Sequence, residues 1–106
     1  MLLHTLTALV RYHELQHSRH GTSPRILSEL IALKDEIPAE VMQRYRVLEE
    51  RYGQTALVLL NDDVCMGCFI RQPASALREI APNLHQCNHC GRLMYEQDHL
   101  DDEEVF

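Results

Sequence analysis

The sequence predicts an α+β fold: an N-terminal antiparallel helical hairpin plus a linking helix, then a small β ribbon. Three observations carry this. Apolar residues recur at helical spacing from Leu3 to Tyr52. An apolar run, Ala56-Leu57-Val58-Leu59-Leu60, then reads as a strand. Beyond it the chain's 4 cysteines fall in two pairs, Cys65-Met66-Gly67-Cys68 and Cys87-Asn88-His89-Cys90.

Residues 2–20 are expected to form the first helix, with Leu3, Leu6, Val10, His13, His17 and His20 at alternating steps of three and four along one face. Gly21 then suits a C-cap, Ser23 the next N-cap and Pro24 the first helical position, where a missing N–H costs nothing. The second helix carries Ile26, Leu30, Leu33 and Ile37 on one face, with Leu27 and Ile31 beside it. So short a connection predicts antiparallel neighbours.

Pro38 either kinks this helix or opens a third, running to about Tyr52 with Val41, Tyr45, Leu48 and Tyr52 inward. Gly53 is a suitable terminator. After the strand, Asn61-Asp62-Asp63 reads as a turn into the first cysteine pair. Ala74–Ile80 is expected to form a helical turn or two, and Leu93-Met94-Tyr95 to supply a partner strand. The expected organisation is therefore 1–53 helical, 54–95 ribbon, and 96–106 an acidic tail without fixed structure.

Two Cys-x-x-Cys pairs separated by 18 residues suit a tetrahedral Zn²⁺ site, each pair wrapping one turn around the ion. Cys65, Cys68, Cys87 and Cys90 would close the coordination shell around one structural ion per chain. A thioredoxin-like redox motif is disfavoured, because neither pair sits in a βαβ pattern. Disulfides are disfavoured by the start, Met1–Val10, which has no basic n-region or small-residue cleavage site. With no long apolar run for a membrane span, a reducing cytoplasm is the expected location. The two flanking glycines, Gly67 and Gly91, read as positions where the backbone closes on a thiolate, or as ordinary turn glycines.

The net charge is −6, and its placement matters more than its size. Residues 1–54 balance seven basic against seven acidic side chains, and 55–95 balance three against three. The excess therefore lies in the tail, in Glu96, Asp98, Asp101, Asp102, Glu103 and Glu104. No basic stripe marks a phosphate-binding surface, so nucleic acid is a less favoured partner than protein.

Cys65-Met66-Gly67-Cys68, Pro73 and Cys87-Asn88-His89-Cys90-Gly91-Arg92-Leu93-Met94-Tyr95 resemble the bacterial C4-type zinc-ribbon proteins, in which a coiled-coil hairpin precedes the ribbon. The resemblance covers roughly residues 38–95, and residues 1–37 are shorter than that family's hairpin. It implies a non-enzymatic adaptor or chaperone-like factor with Zn²⁺ on the four cysteines, and protein or RNA partners.

Other readings compete with this one. His13-Glu14-Leu15-Gln16-His17 fits the His-Glu-x-x-His pattern of zinc metalloproteases, with Glu14 as base. The same histidine row also reads as a polar patch at a helix contact, or as a second metal site with His20. A nucleic-acid-binding ribbon would draw on Arg71, Arg78 and Arg92. A DksA/TraR-like transcription regulator would need acidic residues at the hairpin tip, and Gly21–Arg25 has none. Finally, two short helices cannot bury all of Leu27, Leu30, Ile31, Leu33 and Ile37, which predicts a third helix or a helix-mediated homodimer as cover.

Overall fold

The computed structural model describes residues 5–18, 23–73 and 77–97. Three helices come first: α1 (Thr5–Gln16), α2 (Pro24–Glu36) and α3 (Ala39–Tyr52). A 3₁₀ turn, Gly53–Ala56, leads into β1 (Leu57–Asn61), β2 (Val64–Cys65), β3 (Arg78–Ala81), β4 (Leu84–Gln86) and β5 (Leu93–Tyr95). This is the α+β arrangement the sequence predicts. Leu3, His20, Gly21 and Ala74–Ala76 lie outside the described residues, as does the acidic run from Asp98 onward.

The helix boundaries follow from local chemistry. Ser23 is the N-cap residue of α2, and Pro24 occupies the first turn. Pro38 opens a new helix: its fixed φ of −55° caps α3 while Ile37 before it is extended at φ −105°, ψ 126°. Gly53 ends α3 at φ 61°, and its N–H donates to the Glu49 carbonyl.

One core joins the helices to the sheet. Leu6, Leu9 and Val10 of α1 meet Leu33 and Ile37 of α2, Val41, Tyr45 and Leu48 of α3, and Leu57, Leu84 and Leu93 of the strands. Helix α1 is buried on more than one face, since Ala8 and Tyr12 also join this core. Helix α2 is the contrary case. Leu33 and Ile37 are buried, but Leu27 and Ile31 stay 47% and 67% exposed.

The sheet order is β2-β1-β5-β4-β3. Leu93–Tyr95 is indeed the partner of the first strand, and the pairing is parallel, with Leu57 opposite Leu93 and Leu59 opposite Tyr95. The neighbouring pairs β1–β2, β4–β5 and β3–β4 are antiparallel. The helical turn expected within Ala74–Ile80 is corrected here: Arg78–Ala81 is a strand, laddered to β4. A turn at Pro82-Asn83, with Asn83 at φ 62°, returns the chain and lets the ladder override helix propensity.

Candidate metal centre

The centre is built from two knuckles, each carried by strands. The turn Asp62-Asp63 joins β1 to β2 with both residues at positive φ, 51° and 66°, the signature of a two-residue type I′ hairpin. It delivers Cys65 at the end of β2. The second knuckle, Cys87–Arg92, spans the gap between β4 and β5, whose pairing of Gln86 with Leu93 fixes its two ends.

The two knuckles repeat one hydrogen-bond pattern. In the first, Cys65 N–H donates to the Ile70 carbonyl at 3.1 Å, and Phe69 N–H donates to the Cys65 carbonyl at 2.7 Å. In the second, Cys87 N–H donates to Arg92 at 2.9 Å and Gly91 N–H to Cys87 at 3.0 Å. Gly67 N–H points at Cys65 Sγ and His89 N–H at Cys87 Sγ, both at 3.4 Å. Such amide contacts stabilise thiolate charge.

The four sulfurs converge within 4.8 Å of one another. Cys65 Sγ lies 3.8 Å from Cys90 Sγ, and Cys68 Sγ lies 3.7 Å from Cys87 Sγ. A regular tetrahedron with metal–sulfur bonds of about 2.3 Å has edges of about 3.8 Å. The donor set therefore fits a tetrahedral ion. Among the described residues, these cysteines are the one group of three or more His, Cys, Asp or Glu side chains placed to hold a metal.

As free thiols, Cys65, Cys68 and Cys90 are not equivalent. Burial pushes Cys65 up, and burial with the neighbouring thiols pushes Cys68 up to about 12. Burial also opposes ionisation of Cys90, but hydrogen bonds from the Arg92 backbone and guanidinium outweigh it and bring that thiol down to about 7. Metal ligation needs thiolates, so loading this centre releases protons.

Several supporting residues were not legible as such in the sequence. Gln72 is buried; its Oε1 accepts the Asn88 N–H and its Nε2 donates to the Ile70 carbonyl, tying one knuckle to the other. Tyr52, at the end of α3, donates its hydroxyl to the Cys90 carbonyl at 2.7 Å. Arg92 stacks on the Tyr52 ring at 3.8 Å and donates to Thr55 Oγ1. A comparison of the residues following each pair, Phe69 against Gly91, would have singled out Phe69. That residue is 68% exposed at φ 63°.

The other candidates fall elsewhere. His13 Nδ1 meets Tyr45 Oη at 2.7 Å and its Nε2 meets the Gln54 carbonyl at 2.9 Å, so both ring nitrogens are engaged. His17 Nε2 meets Glu49 at 3.1 Å. Glu14 is exposed. The described histidines of the row thus link α1 to α3. Arg71 is exposed and donates to the Asp62 carbonyl, Arg78 is exposed on β3, and Arg92 is drawn in over Tyr52. The described residues hold no helix long and apolar enough to cross a membrane.

Comparison of the chain with protein-family models, with curated proteins and with solved structures found no match.

Proposed function

We propose that this protein is a non-catalytic adaptor of the zinc-ribbon kind, in which one Zn²⁺ per chain fixes a surface that binds another protein. Cys65, Cys68, Cys87 and Cys90 are the ligands. Four thiolates at tetrahedral spacing form the closed donor set of a structural Zn²⁺ site. Thiols committed to a metal also favour a reducing cytoplasm.

The observation that carries the adaptor reading is Phe69. A bulky side chain at positive φ costs about 1 kcal/mol or more, and this one projects an aromatic ring into solvent. Folding gains nothing from either feature. Met66, Ile70 and Leu59 are exposed nearby in sequence or across β1 and β2, with Met66 N–H bonded to the Leu59 carbonyl. An apolar cap on a metal-fixed knuckle suits recognition of a protein surface.

Crosslinking of zinc-loaded protein in cells, with a Phe69→Gly variant beside it, tests the reading. One polypeptide that crosslinks to the wild type, binds it again when purified, and loses that binding with the variant is the expected result. A partner retained unchanged by Phe69→Gly and by Ile70→Ser would sink it. Nucleic acid is the second reading. With Arg92 drawn onto Tyr52, it rests on Arg71 and Arg78 alone, and filter binding to RNA and DNA across a salt series separates it from the first.

The same architecture leaves Leu27 and Ile31 one helical turn apart on the outer side of α2. A helix-mediated homodimer would bury them. Sedimentation of the wild type as a dimer and of Ile31→Glu as a monomer is the outcome that supports this; a monomeric wild type at tens of micromolar contradicts it.

A further inference from the structure

Arg92 touches more parts of the centre than its place in a turn requires. Its carbonyl accepts the N–H of the ligand Cys87 at 2.9 Å. Its guanidinium stacks 3.8 Å over the Tyr52 ring at the end of α3. Nε and Nη2 each reach Thr55 Oγ1 at 3.4 Å, in the 3₁₀ turn that follows. The aliphatic stem passes over Gly67 of the opposite knuckle, where a Cβ would collide with Arg92 Cδ and lie 2.8 Å from Nε. One residue therefore meets both knuckles, the end of the third helix and the turn leading into β1.

The charge arithmetic gives this arrangement a purpose. A divalent ion on four thiolates carries a local charge of about −2, and a guanidinium is a permanent cation whose planar face also suits an aromatic ring. Of the other cations of residues 55–95, Arg71 is exposed and bonded to the Asp62 carbonyl, and Arg78 is exposed. Tyr52 reinforces the link, since its hydroxyl is bonded to the carbonyl of Cys90 itself. The exit of α3 is thus held to the second knuckle by two adjacent contacts, the Tyr52–Cys90 hydrogen bond and the stack of Arg92 on Tyr52.

We infer that Arg92 is the positioning residue that couples metal loading to the seating of helix α3 on the ribbon. The loaded tetrathiolate holds Arg92 in place, and Arg92 holds Tyr52 and Thr55. When the ion leaves, the knuckle that carries Arg92 is no longer fixed, and the end of α3 loosens. Gly67 is required because any side chain there displaces Arg92. The inference rests on the metal-centre reading.

The test uses the full chain, with zinc affinity measured by competition against a chromophoric chelator. Amide hydrogen exchange over residues 49–56 is followed with and without zinc. For the wild type, zinc should bind and should slow exchange in that segment. Arg92→Met should lose zinc affinity about tenfold, the usual effect of removing a group that supports a metal ligand, and its residual exchange should no longer respond to zinc. Arg92→Lys should recover part of the affinity, because it restores charge, but not the protection, because it lacks the planar stack. Gly67→Ala, which displaces Arg92 without deleting it, should behave like Arg92→Met and serves if that variant does not fold. Affinity within twofold of wild type together with unchanged zinc-dependent protection in Arg92→Met or Gly67→Ala would overturn the inference while leaving the metal centre standing. A wild type that binds no zinc overturns both.

Discussion

Phe69 and Gly91 stand at the same place in the two knuckles. Each donates its N–H to the carbonyl of the leading cysteine, and each has a positive φ, 63° and 83°. For glycine that conformation carries no steric penalty, whereas a residue with a Cβ pays about 1–2 kcal/mol. Exchanging the two chemistries should therefore act in opposite directions. Gly91→Ala meets only an ordinary contact, Leu48 Cδ2 at 3.8 Å, so its cost is that of the backbone, about 1 kcal/mol. Phe69→Gly should be at least as stable as the wild type, since the relieved strain offsets the extra freedom of glycine in the unfolded chain. Thermal unfolding of both zinc-loaded variants checks this. A Phe69→Gly protein melting well below the wild type would mean that the ring packs in the fold after all.

Metal removal should be felt most in the small second core, where Leu60 and Met94 are buried together with Cys65 and Cys87. Two of its four buried residues are thus ligands, and β2 is only two residues long. Without an ion, buried thiols remain where a coordinated cluster should be. Stripping with a strong chelator, or Cys87→Ser with Cys90→Ser, should lower Tm and speed amide exchange in β1, β2 and β5 before it does so in α1. Equal loosening of α1 and β1 would show instead that the large shared core cannot hold its structure without the metal.

Local signals served the sequence reading well, and distant pairings did not. Pro24, Pro38 and Gly53 each mark a helix boundary, because proline and glycine act through their own backbone. The cysteine spacing foretold a convergence that needs only two tight turns. By contrast, Ala-Ser-Ala-Leu-Arg-Glu carries helix propensity, and nothing local announces that Arg78–Ala81 will be captured by β4. Arg92 and Gln72 were similarly opaque. Their partners, Tyr52 and Asn88, lie 40 and 16 residues away, and only the sheet order brings them into contact. The histidine row was visible as a polar stretch on an apolar seam, but the groups that satisfy it, Tyr45, Glu49 and Gln54, belong to another helix and its exit turn.

Tyr45 is fully buried, and its hydroxyl sits between His13 Nδ1 at 2.7 Å and Glu49 Oε2 at 3.2 Å. Burial, reinforced by Glu49, holds its proton far more tightly than in an ordinary tyrosine. Tyr45→Phe keeps the ring packing against Tyr12 but leaves a half-buried imidazole nitrogen without its partner. The expected loss is about 1–3 kcal/mol, that of an unsatisfied polar group rather than of one net hydrogen bond. Chemical denaturation supplies the number. If His13→Phe is added, the double variant should lose less than the sum of the two single losses, because the orphaned nitrogen is gone. Strict additivity would separate the two residues.

The same contacts set a pH response. Neutral His13 carries its proton on Nε2, since the Gln54 carbonyl can only accept, and Nδ1 then faces the Tyr45 hydroxyl, whose one proton goes either to Nδ1 or to Glu49 Oε2. Burial and the neighbouring His17 ring lower the His13 pKa below 6.5, although the Gln54 carbonyl and Glu49 pull the other way. In the interval between that lowered value and about 6.5, the unfolded chain binds more protons than the folded one. Stability therefore rises with pH through this interval and falls as the solution is acidified below about pH 6.5. Acid also releases metal from thiolates, so the wild-type profile alone mixes two effects. His13→Gln isolates one of them, because glutamine retains polar contacts without titrating. Melting curves between pH 5 and 8 should show a shallower acid loss for the variant, with the two profiles separating only below about pH 6.5. Parallel profiles across the whole range would assign the acid sensitivity to groups other than His13.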